Sequence, residues 1–114
     1  MTPRLLLTAA LALAGCPGGE ACEVSPVASC PADDRPTYAE VEPILSAKCT
    51  DACHRPGGEE AKTLLNSYAT AHVRANESRR QIESCEMPPS DEPQLTAGEQ
   101  ATLLAWIACG SPEK

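Results

Sequence analysis

The chain has 114 residues and a formal net charge of −7, with 16 Asp and Glu residues against nine Lys and Arg residues. Because no basic stripe is present to neutralise phosphates, a nucleic-acid partner is not expected. Seven cysteines and 3 % aromatic residues describe a small protein that needs disulfides or a bound group to complete its core.

Residues 1–15 have the pattern of an export signal. Arg4 precedes an apolar run from Leu5 to Ala14, which is too short to span a membrane because a spanning helix needs about 20 residues. The run leads to Leu13-Ala14-Gly15-Cys16, which resembles the lipobox of bacterial lipoproteins, although an ordinary signal peptide is the alternative. The resemblance implies lipid on Cys16. Since Pro17 rather than an aspartate follows, we expect an outer-membrane anchor with the domain in the periplasm or at the cell surface.

Residues 16–36 are predicted to be a lipidated tether. They contain several prolines and glycines and have no helical or strand period. Export places the cysteines in an oxidising compartment, where thiols pair. Cys22 and Cys30 are therefore expected to close a small loop inside the tether, and the folded domain is expected to span residues 37–114.

The folded part is predicted to begin with a helix at "TYAE". Thr37 and Glu40 have the spacing of a capping box, and Tyr38, Val41 and Leu45 share one helical face. Pro43 lacks an amide hydrogen, so it indicates either a kink or a fresh helix start.

Two further helical regions are predicted. One lies within residues 68–84, with Ser67 as its cap. The other follows a capping box formed by Thr96 and Glu99 and stops at Gly110. The proline-rich stretch "EMPPSDEPQ" between them is expected to be irregular. The prediction is an all-α domain of three or four short helices.

The stretch "SAKCTDACHRPGG" carries the chemistry. Cys53 and His54 are adjacent, as in the Cys-x-x-Cys-His pattern that attaches haem c through two thioethers and one iron-ligating histidine. One extra residue separates Cys49 from Cys53, so the segment must bulge or tighten for both thiols to reach a haem. We expect the loop from Pro56 onward to supply a carbonyl that orients Nδ1 of His54.

Met87 is the candidate for the second axial iron ligand. It is the only methionine of the mature chain and lies in the stiff segment "CEMPPSD", and a His/Met iron has a raised reduction potential. His72 is the rival ligand, although a surface histidine on a helix is the favoured interpretation of it.

The order "YAEVEPIL", "CTDACH", "NSY", "MPP" and "LTAGEQATLLAWIACG" resembles the compact class I c-type cytochrome domains of bacterial lipoproteins, especially those called planctomycete-type. The resemblance covers about residues 37–112. It implies one covalent haem c with thioethers at Cys49 and Cys53, His54 as proximal ligand and Met87 as distal ligand. It further implies electron transfer to a redox partner, which we expect to have a basic docking face, and no enzymatic reaction. The third residue between the cysteines departs from the family pattern.

Within this resemblance, a disulfide between Cys85 and Cys109 would pin the methionine loop to the last helix. Two alternatives stay open. The first is a haem-free, disulfide-stapled binding domain in which Cys49 and Cys53 bond each other. The second is a metal site formed by Cys49, Cys53, His54 and His72, although structural zinc sites normally have four ligands in two close pairs.

Overall fold

The computed structural model describes residues 29–114, in which the regular structure is entirely helical. The predicted signal peptide, the lipidation site Cys16 and the cysteine Cys22 lie outside the described residues. The helices are α1 (Tyr38–Leu45), α2 (Tyr68–Val73), α3 (Ala75–Glu83) and α4 (Ala97–Ala108), and a π-helical turn (Ser46–Thr50) continues α1. The prediction of a small all-α domain is confirmed.

Helix α1 begins after Thr37, as predicted, but without the predicted capping box. The side chain of Thr37 makes no capping hydrogen bond. Its carbonyl oxygen instead accepts from the amides of Glu40 and Val41 at 3.1 and 3.3 Å. The helix runs through Pro43 rather than starting afresh there, so Pro43 sits inside its last turns.

The second predicted helical region consists of two helices. The side chain of Ser67 caps α2 by accepting from the amide of Thr70, which confirms the predicted cap. Arg74, with φ −99° and ψ 9°, separates α2 from α3. Its guanidinium donates to the carbonyl of Lys62 at 3.2 Å, and this contact ties the junction to the preceding loop.

Helix α4 has the ends that its sequence predicts. Thr96 and Glu99 form a complete capping box at its start. At its end, Gly110 has a φ of +87°, the left-handed conformation that glycine adopts without strain. The amides of Gly110 and Ser111 donate to the carbonyls of Ile107 and Trp106, which is the hydrogen-bond pattern of a Schellman motif.

The core forms where α4 packs against α1 and α3. Trp106 is 1 % exposed, and its indole nitrogen donates to the carbonyl of Pro112 at 2.8 Å. The other buried members of the cluster come from all four helices: Val41, Leu45, Ala71, Ala75, Ile82, Leu103, Leu104 and Ile107. No helix within residues 29–114 is long and apolar enough to cross a membrane.

A disulfide joins Cys30 to Cys109, with Cα atoms 4.6 Å apart. The predicted pairings Cys22–Cys30 and Cys85–Cys109 are therefore both wrong, because each would need a cysteine that this bond already uses. Cys85 is also disulfide-bonded, but not to Cys109. Cys30 belongs to the predicted tether, and Pro36 near the end of that tether is buried. The end of the tether is thus fastened to the end of α4.

Candidate functional site

A cavity of about 250 Å³ lies between the π-helical turn, α3 and the proline-rich loop before α4. Four sequence-predicted site residues line it, namely Cys49, Cys53, His54 and Met87. Apolar side chains of the core form part of its wall: Leu45, Leu65, Ile82, Leu95 and Leu103. The structure therefore brings together two thiols, an imidazole and a thioether around one partly apolar space.

The π-helical turn absorbs the extra residue between the two cysteines. The amide of Asp51 donates to the carbonyl of Ser46 at 2.9 Å, and the amide of His54 donates to the carbonyl of Cys49 at 3.0 Å. Both hydrogen bonds span five residues, whereas an α-helical hydrogen bond spans four. The amide of Cys53 also donates to the carbonyl of Cys49 at 3.4 Å, and with this backbone Cys49, Cys53 and His54 line one cavity despite the longer spacing.

His54 is held by the loop that follows it. The residue is 9 % exposed, and its Nδ1 donates to the carbonyl of Thr63 at 2.7 Å. The prediction that the loop after Pro56 supplies this carbonyl is confirmed. Because a carbonyl can only accept, Nδ1 carries a proton, and Nε2 is the ring nitrogen without a hydrogen-bond partner among residues 29–114. The ring is thus oriented by the loop with Nε2 left available to another partner.

Two more hydrogen bonds close the loop around His54. The amide of Leu65 donates to the carbonyl of His54 at 3.0 Å, and the hydroxyl of Thr50 donates to the carbonyl of Leu65 at 2.9 Å. Sequence reasoning missed Thr50, because nothing in its surroundings signals a contact to a residue so far along the chain.

Gly58 allows the same loop to pack against the cysteine segment. A Cβ at this position would lie 2.3 Å from the carbonyl oxygen of Cys53, closer than real side-chain atoms approach. That carbonyl also accepts from the amide of Glu60 at 3.1 Å. Glycine is therefore required at position 58 because the loop backbone lies so close to the carbonyl of Cys53. In the sequence, the pair Gly57-Gly58 marks this turn.

Both site cysteines are free thiols. Burial, with smaller effects from Cys53 and Glu99, raises the pKa of Cys49 to about 11. The pKa of Cys53 is raised too, by desolvation and then by acidic neighbours, with Glu92 first among them. The raised pKa values favour the protonated form of both thiols at neutral pH.

His72 lies away from the cavity. Its Nδ1 is 3.0 Å from the carbonyl oxygen of Ser111 and 3.3 Å from the hydroxyl of Tyr68, and its ring stacks on that of Tyr68. The structure therefore favours its interpretation as a surface histidine. The alternative metal site that included His72 is not assembled, and no cluster of three or more His, Cys, Asp or Glu side chains suited to a metal ion occurs in residues 29–114.

Charged side chains surround the cavity. Its acidic lining residues include Glu59, Glu60 and Glu92. The basic residues among the described lining side chains are Lys48, Arg74 and His54. A bound group in the cavity would therefore face a mainly acidic rim with two cationic positions.

No protein-family model, no curated protein and no solved structure matches this chain.

Proposed function

We propose that this chain holds one covalently attached haem c and transfers single electrons between protein partners. The observation that carries the proposal is the convergence of Cys49, Cys53, His54 and Met87 on one cavity. These four residues come from two segments separated by a loop and two helices. A c-type cytochrome site with histidine and methionine as iron ligands is built from this combination of side chains.

The residues fit such a group in three respects. Nδ1 of His54 donates to Thr63, so Nε2 remains available to an iron ion. Cys49 and Cys53 are free, which thioether formation requires. The apolar part of the cavity wall suits the haem macrocycle, which is itself largely apolar. A bound macrocycle would also add packing contacts to the core of a small domain.

Each side chain has a separate task in the proposal. Cys49 and Cys53 would hold the haem through thioethers to the π-helical turn and to the residue that precedes His54, and His54 and Met87 would be its iron ligands. A haem iron with histidine and methionine ligands supplies reversible one-electron reduction. The chain itself makes and breaks no substrate bond, so we propose no enzymatic activity.

The acidic rim of the cavity supports a redox partner with a basic docking face. Glu59, Glu60 and Glu92 line the cavity, and the whole chain has a net charge of −7. Complementary charge mainly accelerates and orients such an encounter. A lipid anchor on Cys16 would hold the protein at a membrane, expected to be the outer membrane, and keep the domain in the periplasm or at the cell surface. Mass spectrometry of the mature N-terminus would test this anchor.

The test is a pyridine haemochrome spectrum of the full chain, produced with c-type maturation in an oxidising compartment. We expect the reduced band at the position for two saturated vinyl groups. A band at the one-thioether position would remove Cys49 from the site but keep Cys53 and His54. Protein without haem would overturn the proposal.

Matched variants sharpen this test. Cys49→Ser and Cys53→Ser should each shift the band to the one-thioether position. His72→Gln should leave the visible spectrum of the native, pyridine-free protein unchanged because His72 bonds Ser111 and lies away from the cavity. If the purified protein lacks haem and contains a Cys49–Cys53 disulfide, the haem-free binding domain becomes the better proposal.

A further inference from the structure

Gln94 holds the loop that carries Met87. Its Nε2 donates to the carbonyls of Pro89 at 2.7 Å and Glu92 at 2.9 Å, and the carbonyl of Pro88 is 3.3 Å away. Pro88 and Pro89 have no amide hydrogen, so this part of the loop cannot build a regular hydrogen-bond ladder of its own. Besides the amide of Glu92, which donates to the carbonyl of Pro89 at 3.0 Å, the side-chain amide of Gln94 supplies the hydrogen bonds that hold these carbonyls.

Lys48 joins Gln94 to the segment that carries the cysteines. Its Nζ donates to the carbonyl of Gln94 at 2.9 Å and lies 3.6 Å from a carboxylate oxygen of Glu99. Lys48 belongs to the π-helical turn and directly precedes Cys49. A continuous set of hydrogen bonds thus runs from the turn, through Gln94, to the residues that follow Met87.

The start of the same loop is held from another direction. The amides of Glu86 and Met87 donate to the carbonyl of Gln81 at 2.9 and 3.1 Å, so the loop is fixed to the last turn of α3. That anchor does not reach the segment with Cys49 and His54. Within residues 29–114, the hydrogen bond from Lys48 to Gln94 and those from Gln94 to the proline carbonyls connect the two ligand-bearing segments.

We propose that Lys48 and Gln94 are positioning residues that fix Met87 relative to the cysteine segment and thereby set the strength of the iron–methionine bond. This inference rests on the proposed haem function. It assigns to two polar side chains the role that the predicted Cys85–Cys109 disulfide cannot have, since Cys109 bonds Cys30. Methionine is a weak ligand, so its bond depends on how firmly the loop is held.

The experiment titrates the haem-loaded full-length protein with imidazole, which competes with Met87 for the iron. The variants are Lys48→Leu and Gln94→Leu, which remove the donors and add no new ligand. We expect imidazole to bind about 5-fold more tightly to each, a change of the order that one lost hydrogen bond produces. Lys48→Arg keeps a donor and should restore most of the original affinity.

Two matched controls separate positioning from general destabilisation. The side chains of Lys62 and Gln100 make no hydrogen bond within residues 29–114. Lys62→Leu and Gln100→Leu should leave the imidazole affinity and the red iron–sulfur charge-transfer band unchanged. Thermal unfolding of all the variants would show whether their loss of stability follows the same order as their gain in imidazole affinity.

The outcomes distinguish this inference from the function on which it rests. Wild-type protein without haem overturns both. Haem-loaded variants that bind imidazole as the wild type does overturn the positioning role alone. A loaded wild type without the iron–sulfur band overturns Met87 as ligand and, with it, this inference, but leaves the attached haem in place.

Discussion

The backbone amide of His54 donates to the carbonyl of Cys49, five positions earlier in the chain, at 3.0 Å. The same carbonyl also accepts from the amide of Cys53, four positions later as in a regular α-helix, but at the longer distance of 3.4 Å. The π-helical turn thus gives His54 the hydrogen-bonded relation to Cys49 that a spacing shorter by one residue would give in an α-helix. Single-turn π-bulges of this kind are frequent at functional sites.

Removing one residue between Cys49 and Cys53 should preserve haem attachment. Deletion of Ala52, which is exposed, would place the histidine four positions after Cys49, which is the separation of an ordinary α-helical hydrogen bond. We expect two thioethers in the haemochrome spectrum of this variant. Insertion of an alanine after Ala52 is the matched change in the opposite direction and should lose the Cys49 thioether. A deletion variant that takes up no haem, although the wild type does, would contradict the role given to the π-helical turn.

Gly58→Ala should destabilise the domain by about 1 to 3 kcal/mol, the usual cost of overpacking. The new Cβ would lie 2.3 Å from the carbonyl oxygen of Cys53, and backbone cannot move aside as a flexible side chain can. Urea denaturation measures the loss.

The control for Gly58 is Gly98→Ala in α4. A Cβ at Gly98 meets no atom within 4 Å, and alanine is favoured over glycine in a helix by about 0.5 to 1 kcal/mol. The two substitutions should therefore change the free energy of unfolding in opposite directions. Equal effects would show that the contact with Cys53 is not the cause.

Loss of the Cys30–Cys109 disulfide should cost about 4 to 5 kcal/mol in the chain-entropy model, because the bond closes most of the domain into one loop. Its cysteines are 79 positions apart in the sequence. The double variant Cys30→Ser/Cys109→Ser avoids leaving an unpaired thiol, and its denaturation midpoint gives the change. Peptide mapping of the wild type under non-reducing conditions supplies the direct check, and a Cys85–Cys109 cross-link there would contradict the structure.

Glu99 should contribute stability that depends on pH. The hydrogen bond from the amide of Thr96, followed by attraction to Lys48, lowers the pKa of Glu99 below its ordinary 4.5. A carboxylate with a lowered pKa stabilises the fold above its unfolded pKa, and this contribution disappears as the pH falls through the folded pKa.

Glu99→Gln isolates that charge, because glutamine retains the hydrogen bond of the capping box. At neutral pH the variant should be less stable by about 0.5 kcal/mol, the size expected for a solvent-screened interaction. The difference should vanish as the pH falls from 4.5 through the lowered pKa. Glu113→Gln removes the same charge from the exposed C-terminal tail and should show no such convergence in acid denaturation curves.

The predictions that succeeded from sequence rest on local interactions. Thr96, Glu99 and Gly110 define α4 because a capping box and a left-handed glycine involve only near neighbours. Ser67 caps α2 for the same reason. The capping box at Thr37 failed although its residues have the right spacing, since the side chain makes no capping hydrogen bond and spacing alone cannot decide between side-chain and backbone partners.

The helical class, the ends of α4 and the loop that supplies a carbonyl to His54 followed from local sequence patterns. Tertiary structure alone decided that Cys30 bonds Cys109, because a disulfide depends on two Cα atoms lying 4.6 Å apart and not on their distance in the chain. It likewise decided that Lys48 donates to the carbonyl of Gln94, since these residues are 46 positions apart in the sequence and meet only where the loop packs against the π-helical turn.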